Sequence, residues 1–277
     1  MEDYYNLRAQ ADIEYSIWSK PERPRIDFAY DTSSMASGIE KIIDKTHEII
    51  NSNNYAIDTG IVAGYGFQYL NPLAQITFTD GTTVLYGPIN TNNLDDLVNE
   101  ALGLNRNPLD ITIGMLHGYR NDIQLINKHP FLQLEEERRL LRNLGYINPN
   151  EINHYIARDG YLAVNSIFEK KLTDEEIRKE ISDSGLAGRG GAFFPTGVKW
   201  GFLSSAGNED KYLVCNADEG DPGSWVNRII MEGDPHSIIE GMIIGALGTF
   251  ANKGYIYIRS EYPLAIERMQ KAIDDAY

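Results

Sequence analysis

The sequence is poor in cysteine, in basic residues and in long apolar runs. Its single cysteine, Cys215, excludes a disulfide framework and any all-cysteine metal or iron–sulfur site built by this chain alone. Lys and Arg number 25 against 40 Asp and Glu, a formal charge of −15, which argues against a nucleic-acid surface with its clustered cations. The longest apolar run, residues 241–250 (GMIIGALGTF), is about half a membrane span. The opening MEDYYNLRAQADIEYS lacks the apolar stretch of a signal peptide. A cytoplasmic protein without direct membrane insertion is therefore expected. What is present, 42% apolar and 23% charged residues over 277 positions, suits one or two globular domains.

Residues 1–27 read as an N-terminal extension ending in the Pro-punctuated SKPERPRI. An α/β pattern then runs over 28–106. Residues 38–51 (GIEKIIDKTHEIIN) repeat apolar positions at helical spacing. Short strands are expected at 74–79 and 83–86, joined at the turn signal Asp80-Gly81, and a helix at 94–102. Residues 107–172 read as a mostly helical connector, including an amphipathic segment at 132–142. Thr173-Asp-Glu-Glu176 is a capping box for a helix that Gly185 stops. Beyond it, residues 211–217 (KYLVCNA) read as a buried strand, 235–247 as a helix, 253–260 as a strand and 263–276 as a helix with Pro at its first turn. That alternation begins an open α/β sheet, where ligands gather at the carboxyl ends of strands.

Two stretches carry chemistry. SGLAGRGGAFFPTGVKW (184–200) comes close to a dinucleotide fingerprint, but Phe193 stands at the third glycine and the loop follows a helix rather than a strand. Glycine backbone can turn several N–H groups on a phosphate, with Arg189 and Lys199 adding charge; a long turn with incidental glycines is the plain alternative. NADEGDPGSW (216–225) brings Asn216, Asp218, Glu219 and Asp221 together. Carboxylates suit ribose or ribityl hydroxyls and also hard cations; a solvated acidic turn would look the same.

These two loops, KYLVCNADEGDPGSWVNRIIMEGDPHSIIEGMIIGA around the second, GYIYIRSEYP after it and RRLLRNLGYINPNEINHYIARDGYLAV (138–164) before them resemble one family. It is the NADH- and FMN-binding flavoprotein subunit of complex I, shared with NAD-reducing hydrogenases, formate dehydrogenases and bifurcating complexes. The resemblance implies an α/β chain in which 173–277 form the first part of a Rossmann-like FMN/NADH-binding domain. It implies an NADH dehydrogenase-type oxidoreductase with FMN and NAD(H) as cofactors, passing hydride between nicotinamide and flavin. By the same resemblance, Gly188, Arg189, Gly190, Gly191 and Lys199 would line the flavin and its phosphate. Asn216, Asp218 and Glu219 would hold the ribityl chain and ring edge, Asp221 would lie near the nicotinamide, and Phe194 and Phe202 would face NADH or pack in the core. No protein catalytic acid and no metal ligand is expected, and Cys215 and His236 read as structural residues without triad partners.

The region 28–106, through SMASG (34–38) and AGYGFQYLNPLAQITFTDGTTVLYGPI (63–89), resembles the thioredoxin-like ferredoxin module that often precedes this flavin domain. Its cluster cysteines align with Ala29, Ser34, Gly64 and Gln68, none of which supplies a thiolate. Iron–sulfur clusters are therefore expected only beyond Tyr277, where the family's next glycine/glutamate motif would also lie, or on partner electron-transfer subunits of a redox complex. The other expectation is a scaffold paralogue that keeps the fold and has lost flavin and cluster binding.

Overall fold

The structure, a computed structural model, describes residues 2–132, 138–207, 210–221 and 223–277. It opens with helix α1 (Glu2–Ser19), where the sequence reads as an extension. This helix carries no coherent apolar stripe. It is fixed by polar side chains instead: Tyr4 donates to Gly160 O at 2.9 Å, Arg8 to Ala157 O at 2.9 Å and to Asp159 Oδ1 at 2.8 Å, and Tyr15 to Tyr146 O at 2.9 Å. Those partners lie far along the chain, beyond any local pattern.

A five-stranded sheet follows. Strand β1 (Arg25–Ala29) leads through α2 (Thr32–Ala36) and α3 (Ile39–Asn53) to β2 (Asp58–Val62), which pairs with β1 in parallel. β3 (Ala74–Thr77) and β4 (Thr83–Tyr86) form the expected hairpin, with Gly81 at φ 89° and Asp80 Oδ1 accepting from Thr82 N at 2.8 Å. After α4 (Leu94–Ala101), β5 (Thr112–His117) completes the order β2-β1-β3-β4-β5, with every neighbour beyond β1 antiparallel. A parallel β-α-β followed by an antiparallel hairpin and a helix is the thioredoxin-like arrangement. Ile39, Ile42 and Ile50 of α3 and Leu94, Leu97 and Val98 of α4 pack on one face against Ile26, Phe28, Ile76, Val84 and Tyr86. The other face carries Tyr65, Phe67, Leu73, Leu85, Ile113 and Leu116.

β5 corrects the reading of 107–172 as mostly helical. TIGMLH is a short, nearly continuous apolar run, which periodicity cannot assign, and pairing with β4 makes it a strand. Within the segment read as amphipathic, residues 133–137 lie outside the described residues and 140–146 form turns. Helix appears at α5 (Ile152–Ala157) and α6 (Leu162–Lys170).

Helix α7 (Asp174–Asp183) starts at the Thr173–Glu176 capping box, and Gly185 follows its end at φ 70°. The glycine loop leads into α8 (Thr196–Ser205). β6 (Tyr212–Asn216), α9 (Asn227–Gly233), α10 (Pro235–Thr249), β7 (Lys253–Tyr257) and α11 (Pro263–Ala276) complete the chain, with β6 and β7 paired in parallel. Met231, Ile239, Ala265, Met269 and Ala272 of the three helices pack with Cys215 and Ile256 on one face of this sheet. On the opposite face Tyr212, Val214, Tyr255 and Tyr257 are exposed, so 211–217 holds a strand covered on one side, not the fully buried strand its apolar run suggests. The apolar run of α10 is spent on packing: a Cβ at Gly245 or Gly248 would lie 3.3 Å from the Trp200 ring, which seats α8 against α10. Among the described residues no helix is long and apolar enough to cross a membrane.

Candidate functional site

The glycine loop is closed at its base and open at its tip. Gly188 N donates to Phe194 O and Thr196 N to Leu186 O, both at 2.9 Å, beside an antiparallel bridge between Ala187 and Pro195. Between them, Gly188, Arg189, Gly190, Gly191, Phe193 and Phe194 are exposed, and Lys199 is exposed one turn into α8. Among the described residues no hydrogen bond uses the backbone N–H groups of 189–193. A Cβ at Gly190 or Gly191 would meet nothing within 4 Å, so this backbone lies open to a ligand. Phe193 takes φ 50°, the left-handed region that glycine would occupy without strain, and its side chain is 65% exposed. Phe194 and Phe202 lie with ring centroids 6.2 Å apart, both exposed.

The acidic loop leaves the carboxyl end of β6. Asn216 Oδ1 accepts from Asp218 N at 3.1 Å, and Asp221 Oδ1 accepts from Gly223 N at 2.8 Å. Asn216, Asp218 and Asp221 are exposed. Glu219 is different: it is buried, and its carboxylate accepts from the backbone N–H groups of Val226 and, at 2.9 Å, Arg228. It thereby satisfies orphan donors at the start of α9. Its carbonyl accepts from Tyr262 Oη at 2.5 Å and Arg259 Nη1 at 3.3 Å. Among the described residues no hydrogen bond joins the glycine loop to the acidic loop; each is set on its own support, α8 and β6, around α10.

Arg259 is a site neighbour that sequence reading passed over. Parallel pairing sets Asn216 against Tyr257, so the residues two beyond each, Asp218 and Arg259, emerge side by side, with Arg259 Nε 3.8 Å from Asp218 Oδ1. The register rule would find it once the two strands are paired. Trp225, at φ 51°, and Arg228, whose guanidinium lies 4.8 Å from the Trp225 ring and 4.0 Å from the Tyr262 ring, close the loop.

Cys215 lies on the covered face of β6, where burial raises its thiol pKa. His236 has partners the sequence did not reveal: Nδ1 is 2.8 Å from Tyr161 Oη and Nε2 is 3.9 Å from Asp275 Oδ2, with burial lowering the ring to about 4. It is 2% exposed and turned away from solvent.

The four positions aligned with cluster cysteines stay near one another in part. Gly64 packs so closely that a Cβ would lie 2.2 Å from Asp31 Oδ2 and 3.9 Å from Ala29 Cβ. Asp31 Oδ1 accepts from Ser34 N at 2.7 Å, capping α2. Gln68 lies apart from these, against Trp225. Among the described residues no group of three or more His, Cys, Asp or Glu is arranged to hold a metal ion.

Residues 181–277 match the family model described as the Nuo51 FMN-binding domain. The chain is 50% identical over 135 residues to NADP-reducing hydrogenase subunit HndC of Solidesulfovibrio fructosivorans, covering 49% of this chain and 27% of that protein. It is 40% identical over 146 residues to the mitochondrial NADH dehydrogenase (ubiquinone) flavoprotein 1 of Dictyostelium discoideum, covering 52% of this chain and 30% of that protein. The chain thus spans less than a third of these curated relatives. A crystal structure of an NAD+-reducing NiFe hydrogenase in the H2-reduced state aligns over 98% of this chain and 43% of its own, at 21% identity and a TM-score of 0.40.

Proposed function

We propose that this chain, whose residues 181–277 match the Nuo51 FMN-binding domain, supplies part of the flavin site of an NAD(H)-linked oxidoreductase that works within a multi-subunit redox complex. The observation that carries the reading is the open stretch 189–193, whose backbone N–H groups have no protein partner among the described residues and whose Gly190 and Gly191 face open space. Such a run of amides, with Arg189 and Lys199 beside it and the start of α8 behind it, suits a phosphate and the polar edge of a flavin.

The residues present fit the group. Gly188, Arg189, Gly190, Gly191 and Lys199 would hold its phosphate and ring edge, and the exposed Asn216 and Asp218 its ribityl hydroxyls. Asp221, Phe194 and Phe202 would meet the nicotinamide nucleotide, the two rings by stacking. Glu219, which the resemblance also sets at the ribityl chain and ring edge, already accepts two backbone N–H groups at the start of α9, and in this reading it also shapes the acidic loop. Bound FMN supplies acceptance of a hydride from NADH and release of single electrons, for which iron–sulfur groups on other parts of the complex are the acceptors. This chain's own work is to bind and orient.

The test is to assemble the full chain with its complex, measure flavin content by absorbance and follow NADH-dependent dye reduction. FMN at one per chain with NADH oxidation is expected. An assembled complex with neither would overturn the proposal and leave the scaffold reading.

A further inference from the structure

The position aligned with the fourth cluster cysteine, Gln68, makes a contact that no local pattern announces. With its amide oriented to satisfy its surroundings, Nε2 donates to Gly66 O at 2.7 Å and Oε1 accepts from Trp225 Nε1 at 3.1 Å. Trp225 closes the acidic loop. Its φ of 51° is unfavourable for a bulky residue and persists only where the surroundings fix it. Three contacts do so: the Gln68 amide, the Arg228 guanidinium over the indole, and the Glu219 carboxylate on the next residue's N–H. Two of these lie within the loop and its helix. Gln68 alone belongs to the N-terminal sheet region.

Its base is rigid. Phe67 is 1% exposed in the core beneath β3 to β5, and Gly66, at φ 93°, fits between Arg138 and Ile229 of α9. The far end of α9 is held from the same side. Glu232 accepts from Thr32 N at 2.8 Å and Thr32 Oγ1 at 2.5 Å, and the buried Arg268 donates to Tyr30 O at 2.8 Å and to Glu232 O. The loops that would carry cluster ligands in the resembled module thus grip α9 at both ends.

We infer that Gln68 is a positioning residue: through Trp225 it sets the shape of the acidic loop that presents Asn216, Asp218 and Asp221, and so makes the cysteine-free sheet region a support for the flavin site. The ligand part of this inference rests on the proposed function; the loop part does not.

The test uses the full chain assembled with its complex. Amide hydrogen exchange over residues 216–226 is compared among wild type, Gln68→Ala, Trp225→Phe, the double variant and Gln68→Glu, which keeps an acceptor for the indole N–H but gives up the donor to Gly66 O. Each single variant should speed exchange in this loop about fivefold, the loss of one hydrogen bond. The double should be no faster than either single, Gln68→Glu should fall between Gln68→Ala and wild type, and α3 should be unchanged throughout. FMN titration should show weaker binding by Gln68→Ala and Trp225→Phe, with Gln68→Glu again between Gln68→Ala and wild type. Unchanged loop exchange in both single variants, or additive effects in the double, overturns the inference; so does faster exchange with FMN affinity unaltered. A wild type that shows the exchange pattern but binds no FMN would instead sink the functional reading and leave the loop contact standing.

Discussion

Glu219 and Arg228 are joined through the backbone: the Glu219 carboxylate accepts Arg228 N–H at 2.9 Å, so the acidic loop ends by capping the helix it feeds. Glu219→Ala should therefore lower stability by about 1–3 kcal/mol, because buried helix-start amides lose their acceptor. Urea denaturation of the variant measures this. A change in flavin affinity with an unaltered urea midpoint would instead assign the carboxylate to the ligand.

Lys199 and Asp218 make the opposite case. Both are exposed and belong to no buried network, so Lys199→Ala and Asp218→Ala should leave the stability within about 0.5 kcal/mol of wild type. Each should weaken FMN binding about tenfold, the loss of one charge-assisted contact. Urea denaturation and fluorescence titration of FMN check the two halves of this expectation.

Phe193 holds a left-handed backbone with its ring in solvent, so Phe193→Gly removes strain and little packing. A gain of about 1 kcal/mol in stability is expected, read as a higher Tm. The same variant should bind FMN more tightly, since the loop loses a large side chain at its tip. Weaker binding would show that the ring contributes to the ligand site.

A Cβ added at Gly248 would lie 3.3 Å from the Trp200 ring, and one at Gly245 equally close. Gly248→Val should push Trp200 and α8 away from α10, costing about 1–3 kcal/mol and disturbing the glycine loop at the helix start. Thermal denaturation and FMN titration together test it, and Gly241→Ala, where a Cβ meets nothing within 4 Å, should have no comparable effect on either.

His236 gives a pH signature. Burial lowers its pKa to about 4 from 6.5, so the ring is neutral in the folded protein where the unfolded chain already binds a proton. Stability from this group is complete above about pH 6.5 and falls as pH drops toward 4, by at most about 3 kcal/mol. Buried Asp27 and Asp234, raised to about 6, work the other way: their protonation favours the fold as pH falls from 6 toward 3.8. His236→Gln should flatten the fall between pH 6.5 and 4, measured as urea midpoints across that range; an unchanged slope would place the effect elsewhere.

The sequence by itself determined the elements that carry their own local signals. The capping box at Thr173 starts α7, Pro263 opens α11, the apolar repeat of 38–51 makes α3, and Asp80-Gly81 turns β3 into β4. It also marked the glycine loop and the acidic loop as candidates, because a run of glycines and a run of carboxylates are visible without a fold. Only the tertiary structure decided which side chains those loops present. Glu219 turns inward to α9, Arg259 comes up beside Asp218 through parallel register, and Gln68 reaches Trp225 from the far side of the connector. The same holds for β5, which needs β4 to be a strand, and for α1, which is held by tyrosines and an arginine on distant carbonyls. Periodicity and caps report what a segment does with its nearest neighbours. Pairing, register and the burial of one carboxylate of the acidic loop depend on residues far away in the chain, and these the fold alone brings together.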